Sequence, residues 1–183
     1  MDKESKESRD NKERVAQSGD MAIAAAKKRA VRILGNRYMS RHEIEKRLVS
    51  KGDSEEAAKK AVNWLEEAGA INDEEYAAMI GRHYTAKGYG QARIRDELYR
   101  RGIPREMWDA VLDKADGIDE AAIDYLKKKL NGSSEKENIR RAEAALLRRG
   151  FSYDEARNAL NMYLEELQEK QRTSETCDNN TET

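Results

Sequence analysis

Apolar residues recur three or four positions apart along almost the whole chain. The first series is Ala26, Ala30, Ile33 and Leu34, followed by Ile44 and Leu48, then by Ala57, Ala61, Val62 and Leu65. The next are Tyr76, Ile80 and Tyr84; Ile94 and Leu98; and Met107, Val111 and Leu112. The last are Ile123, Leu126 and Leu130; Ile139, Ala142 and Leu146; and Ala156, Leu160, Tyr163, Leu164 and Leu167. This is the period of an amphipathic helix, and no stretch sustains the period-two alternation of a half-buried strand. The pattern predicts an all-α protein.

Start and stop signals divide the pattern into segments. Ser40 with Glu43, Ser134 with Glu137 and Ser152 with Glu155 have capping-box spacing, in which each side chain satisfies a free amide at a helix start. Asn72 and Asp119 are natural N-caps, and Pro104 fits a first helical turn, where its missing N–H costs nothing. Gly52, Gly102 and Gly150 each follow a basic residue at the end of a helical run. A glycine there takes the left-handed conformation that closes a helix, and the cation faces the negative end of the helix dipole.

Aligned on those three glycines, the sequence repeats. The copies read EIEKRLVSKGDSEEAAKKAV, RIRDELYRRGIPREMWDAVL and RAEAALLRRGFSYDEARNAL. Each has an apolar residue (Ile44, Ile94, Ala142), a Leu four later (Leu48, Leu98, Leu146), a basic residue with Gly, and a second helix. A further helix precedes each copy, at about 21–37, 74–87 and 119–131. A fixed period of this size marks tandem supersecondary units. The expected organisation is three three-helix repeats, residues 20–72, 73–117 and 118–170, stacking as nine helices into an elongated, curved solenoid. Residues 1–19 are charged without an apolar face and suit a disordered arm or a solvated helical extension, disorder being favoured; residues 171–183 are polar and are expected to be disordered.

Composition supports helices with thin cores. Charged residues make up 39% of the 183, there is one Phe and one Pro, and Ala, Glu, Lys, Arg and Leu dominate. The lone Cys177 excludes a disulfide framework, and no apolar run is long enough for a membrane span or a signal peptide. We expect a cytoplasmic monomer with no membrane association.

Catalytic chemistry finds no foothold. His42 and His83 have no Cys, His or Asp at metal or triad spacing, so surface or structural roles suit both. Gly88-Tyr89-Gly90 lacks the third glycine and the preceding strand of a dinucleotide site, and is a helix-to-helix turn. Paired carboxylates such as Glu55-Glu56 and Glu66-Glu67 suit solvated faces. The sequence predicts no enzyme, no cofactor and no metal.

Charge is segregated behind a net value of −1. Residues 21–52 hold nine Lys/Arg against two Asp/Glu, and residues 53–75 hold two against eight. Residues 82–114 hold eight against five, 121–150 eight against four, and 151–183 three against eight. Basic rows can meet phosphates or pair with the chain's own acidic helices, and charge alone favours neither. A net charge near zero gives no long-range attraction to a polyanion, which weakens a pure DNA-binding reading. Trp64, Trp108, Tyr76 and Tyr84 fall at apolar-face positions and suit the core, whereas Tyr89 and Tyr99 lie off that face.

The repeat resembles the bacterial RecX family, regulators of the RecA recombinase. The resemblance runs from about Ala24 to Leu167. It includes AVRILGNRYMSRHEIEKRLVSKG from Ala30 to Gly52 and VNWLEEAGAINDEEYA from Val62 to Ala77. Its most specific element is Gly88, Arg93, Ile94, Glu97, Leu98, Gly102 and Ile103. The third copy departs from the pattern, with Ala142 in place of Ile and Gly132-Ser133-Ser134 in its linker.

The resemblance implies a non-enzymatic modulator that binds RecA and RecA–DNA filaments, with weak DNA contact, and restrains strand exchange and filament-dependent cleavage of the SOS repressor. The residues expected to contact the filament are Arg82, Lys87, Tyr89, Arg93, Arg100 and Arg101. Lys127, Lys128, Lys129, Arg148 and Arg149 are expected to support them. A direct DNA-binding protein with helix-turn-helix-like units is the alternative, and a plain helical scaffold a third reading.

Overall fold

The structure of the chain is a computed structural model. It describes the backbone of residues 3–113 and 117–178, and the side chains of 17–113 and 117–173. Nine α-helices lie among the described residues, with no strand. They follow the expected triplets: α1 (Lys3–Leu34), α2 (Arg41–Ser50) and α3 (Glu55–Glu67); α4 (Asp73–Ala86), α5 (Gln91–Arg100) and α6 (Trp108–Asp113); α7 (Ile118–Leu130), α8 (Lys136–Arg148) and α9 (Tyr153–Asp178). A 3-10 turn, Arg105–Met107, leads into α6, with Pro104 just before it.

By packing, the chain divides into two compact units. One comprises Met1–Tyr76 with Arg100–Pro104, the other Ala77–Tyr99 with Arg105–Thr183. The middle triplet therefore contributes residues to both.

In the first unit α1 and α3 face each other across a core of small residues. Ala26, Ala30, Ala57, Ala58, Ala61 and Val62 pack with Ile44, Leu48 and Leu65, and all are buried. Small side chains let the helix axes approach closely, which is how so polar a sequence forms a core. In the second unit the same role falls to Ala122, Leu126, Leu130, Ala142, Leu146, Ala156, Leu160 and Tyr163, between α7, α8 and α9.

The caps follow the sequence in most places. Ser40 and Ser152 form complete capping boxes with Glu43 and Glu155, and Asn72 accepts the amide of Glu75 at 3.1 Å. Gly52, Gly102 and Gly150 all have left-handed backbones.

Five expectations are corrected. The Ser134 box does not form: Asn131 and Gly132 both take positive φ, which delays α8, and the hydroxyl of Ser133 accepts from the Glu135 amide instead. Asp119 is not an N-cap, because α7 starts at Ile118, behind a left-handed Gly117. Trp64 is 37% exposed under the ammonium of Lys27 rather than in the core. The arm expected to be disordered is helical from Lys3, since extending a helix from the docked segment after Ile23 costs far less than nucleating one. At the other end α9 continues through Thr173 to Asp178, into the expected tail, while residues 179–183 and the side chain of Cys177 lie outside the described residues.

Candidate functional site: a cationic cleft in the second unit

The site begins with the turn that ends α4. Gly88 takes φ +72°, its amide donates to Thr85 O at 2.8 Å, and the amide of Tyr89 reaches back to Tyr84 O at 3.1 Å. This closure places the Tyr89 ring against Tyr84, with centroids 5.5 Å apart.

The turn is locked to the one between α8 and α9. The amide of Gly90 donates to Arg149 O at 3.1 Å and that of Ala92 to Gly150 O at 3.0 Å. A Cβ on Gly90 would overlap the Gly150 carbonyl, and one on Gly150 would overlap the backbone of Arg93. Both glycines are therefore required for backbone to meet backbone. A comparable approach occurs in the first unit. There the Arg101-Gly102 turn meets the start of α2: Ser40 Oγ donates to Arg101 O, and Gly102 lies against the His42 ring.

Arg149 then crosses back over the α4 turn. Its guanidinium lies 4.8 Å from the Tyr89 ring centre and 4.4 Å from that of Tyr125, and makes long donations of 3.4 Å to Lys87 O and Gly88 O. The cation is sandwiched between two aromatic faces, which fixes its plane.

In front of this sandwich lies a cleft of about 570 Å³. Arg82, Thr85 and Lys87 line it from α4 and its turn; Glu120, Asp124, Tyr125 and Lys128 line it from α7; Arg149 closes it. Thr85 is 7% exposed, and its buried hydroxyl has no hydrogen-bond partner among the described residues.

Of the eleven residues expected from sequence, four meet here: Arg82, Lys87, Lys128 and Arg149. Tyr89 stands behind them, half-buried between Tyr84 and Arg149 rather than free on the surface. Arg93 is half-buried with its guanidinium 6.0 Å from the Tyr89 ring. Lys127 is bound to Glu166 at 2.7 Å, and that bond raises the ammonium's pKa; the same bond, with Lys170, holds the Glu166 carboxyl below its usual value. Lys129 and Arg148 are exposed on α7 and α8. Arg100 and Arg101 belong to the first unit. Arg100 is exposed, whereas Arg101 donates to the Tyr76 hydroxyl at 2.6 Å and pairs with Glu43 at 3.3 Å, so it serves the fold.

Sequence reasoning missed Thr85 and Tyr125. Thr85 left one signal, a hydroxyl four residues after Gly81 on the inner face of α4; Tyr125 left one in its spacing, three residues before Lys128.

Among the described residues no group of three His, Cys, Asp or Glu side chains is placed to hold a metal ion. His83 packs edge-on against Tyr84 at 5.7 Å, and among the described residues no helix is long and apolar enough to cross a membrane. Tandem three-helix units, with a polar, cation-lined cleft in the second compact unit, define a helical-repeat protein.

Comparison with known proteins narrows that class. Residues 26–65 match the first three-helix domain of RecX, and residues 72–112 match the second. Regulatory protein RecX of Stenotrophomonas maltophilia (strain R551-3) is 34% identical over 134 residues, spanning 72% of this chain and 82% of the relative. Regulatory protein RecX of Xanthomonas citri is 33% identical over 141 residues, spanning 75% of this chain and 87% of the relative. The crystal structure of RecX from Lactobacillus salivarius shares the fold at a TM-score of 0.70, with 24% identity, over 79% of this chain and 97% of that one. The chain belongs to the RecX family of regulatory proteins.

Proposed function

We propose that this protein binds RecA and RecA–DNA filaments and restrains their recombinase activity and their promotion of repressor cleavage. The observation that carries the reading is the convergence of Arg82, Lys87, Lys128 and Arg149 on one cleft. Two of these lie in the second triplet and two in the third, so their grouping requires the fold. Membership of a family of regulatory proteins supports a modulator rather than a catalyst.

The cleft presents cations from three elements to a polymer that carries phosphates and acidic side chains at regular intervals. Weak contacts with such a repeating partner add through effective concentration. A chain of net charge −1 gains this local attraction without a general affinity for polyanions.

The test is inhibition of strand exchange by the wild type and by Arg82→Glu/Lys128→Glu. The double reversal is expected to raise the concentration needed for inhibition at least about tenfold, with helical circular dichroism unchanged. Undiminished inhibition across a range of salt would refute the assignment of the cleft. Tight binding of the wild type to naked DNA, with a steep salt dependence and no preference for filaments, would instead establish the direct DNA-binding reading.

A further inference from the structure

Within the second unit α7 and α9 meet along a groove that is open to solvent. Its middle is a space of about 530 Å³, floored by half-buried Ile123 and by Met162, which is 53% exposed. Past Ala159 it continues into a space of about 300 Å³, and past Leu167 into one of about 350 Å³. Ile123 and Met162 line the first pair of spaces and Glu166 the second pair, so the groove is continuous. It follows the 13 residues of α7, a length of about 20 Å.

Both rims are acidic. Asp119, Glu120 and Asp124 stand on α7, and Glu165, Glu166 and Glu169 on α9. The two cations in the lining, Lys127 and Lys170, both bond to Glu166, at 2.7 and 2.9 Å. The other five carboxylates form no ion pair among the described residues. Charge left uncompensated beside an exposed methionine is what the acidic block of residues 151–183 becomes once α9 is folded.

These features define the occupant. Among the described residues no three acidic groups converge to hold a metal ion, so the negative charge is spread along the groove and suits cations spread in the same way. Nucleic acid and anionic lipid would be repelled. A small polycation would leave the floor of Ile123 and Met162 wet. A groove between two helices is filled by a third helix whose apolar side chains recur every three or four residues, and a flexible thioether adapts to such a partner. Lysines or arginines flanking that stripe would meet both rims.

We infer that the α7–α9 groove is a docking site for a basic amphipathic helix of another protein, with an apolar side chain over Ile123 and Met162 and cations against Glu165 and Glu169. The site uses none of the cations of the cleft and does not rest on the filament reading.

The experiment titrates the full chain, alone, with an amphipathic peptide of leucine and lysine, of about 14 residues so as to fill the groove. An isomer of the same composition in scrambled order is the control. Calorimetry is expected to show the amphipathic peptide binding at least about tenfold more tightly than its isomer, with the negative heat-capacity change of apolar burial. Amide shifts are expected at Ile123 and Met162. Met162→Gln removes the apolar floor at constant charge and is expected to weaken binding about fivefold. Glu165→Gln/Glu169→Gln removes charge at nearly constant shape and is expected to weaken it about fivefold at low salt, less as salt rises. All three residues are exposed on α9, so the variants are expected to fold, and helical circular dichroism checks this. Equal binding of the two peptides, or wild-type affinity in both variants, overturns the inference. So does a dimer of the wild type in sedimentation that Met162→Gln disperses, because a second copy would then fill the groove. No filament or DNA is present and no cleft cation is altered, so failure here is distinct from failure of the inhibition assay.

Discussion

Ser40 donates its hydroxyl to the carbonyl oxygen of Arg101, a residue 61 positions further along the chain. The Ser40 Oγ in turn accepts the amide of Glu43 and so caps α2. One fully buried side chain thus both starts a helix and holds a distant turn against it. Ser40→Ala removes the cap and takes a hydrogen bond from a part-buried carbonyl, at a combined cost of about 2 kcal/mol. Urea denaturation measures this, and a loss below about 0.5 kcal/mol would show that the hydroxyl does neither job.

The paired turns of the second unit predict a contrast between two glycines. Gly52 and Gly150 have similar left-handed backbones, φ +94° and +89°, but a Cβ at Gly52 meets nothing within 4 Å while one at Gly150 overlaps Arg93. Gly52→Ala is expected to cost about 1 kcal/mol, from backbone strain alone. Gly150→Ala is expected to cost at least about twice that, because two backbones must also separate. Equal losses of denaturation free energy would mean that the close approach carries no energy.

Neighbouring arginines should separate in the same way. Arg149 lies between Tyr89 and Tyr125, whereas Arg148 is exposed. Arg149→Ala is expected to lower stability by about 1–2 kcal/mol and Arg148→Ala by less than about 0.5 kcal/mol. Thermal melts of the two variants decide it, and matched melting temperatures would contradict the sandwich.

Asp73 gives the first unit a pH dependence. Burial raises its carboxyl pKa; the Arg41 amide, which Asp73 accepts at 2.8 Å, opposes this, and nearby Glu66 and Glu43 reinforce it. A carboxyl whose pKa is higher folded than unfolded binds more protons in the folded state. Its contribution is fully present below the unfolded value, near 4, and is lost as pH rises through the folded value. Asp73→Asn keeps the acceptor and removes the titration. The variant is expected to match the wild type near pH 3 and to exceed it at pH 7, as read from melting temperature at each pH. A constant difference across that range would assign the effect to something other than this carboxyl.

What the sequence disclosed follows from which forces are local. The triplets were legible because helix periodicity and left-handed C′ glycines are written in adjacent residues. Ser134 misled because the paired left-handed residues Asn131 and Gly132 moved the start of α8, a choice of backbone rather than of side chain. Trp64 misled because the α1–α3 seam closes on alanines and leaves no room for an indole. Arg82 and Lys87 share one helix end, so their proximity was readable. That Lys128 and Arg149 join them depends on packing between distant segments, and the unpartnered hydroxyl of Thr85 is visible only once its surroundings exist.

The locking of the turns has a consequence during synthesis. The bond from Arg149 to the Gly88 carbonyl spans 61 positions, as does that from Ser40 to Arg101. At a ribosomal rate of about 5–20 residues per second, the partner of each early turn appears roughly 3–12 seconds after it. Throughout that interval the Ser40 hydroxyl, and later the Gly90 amide, has not yet met its long-range partner. Neither unit can reach its final packing until chain well beyond its opening helices has emerged, so this small all-helical protein is completed in long strides rather than helix by helix.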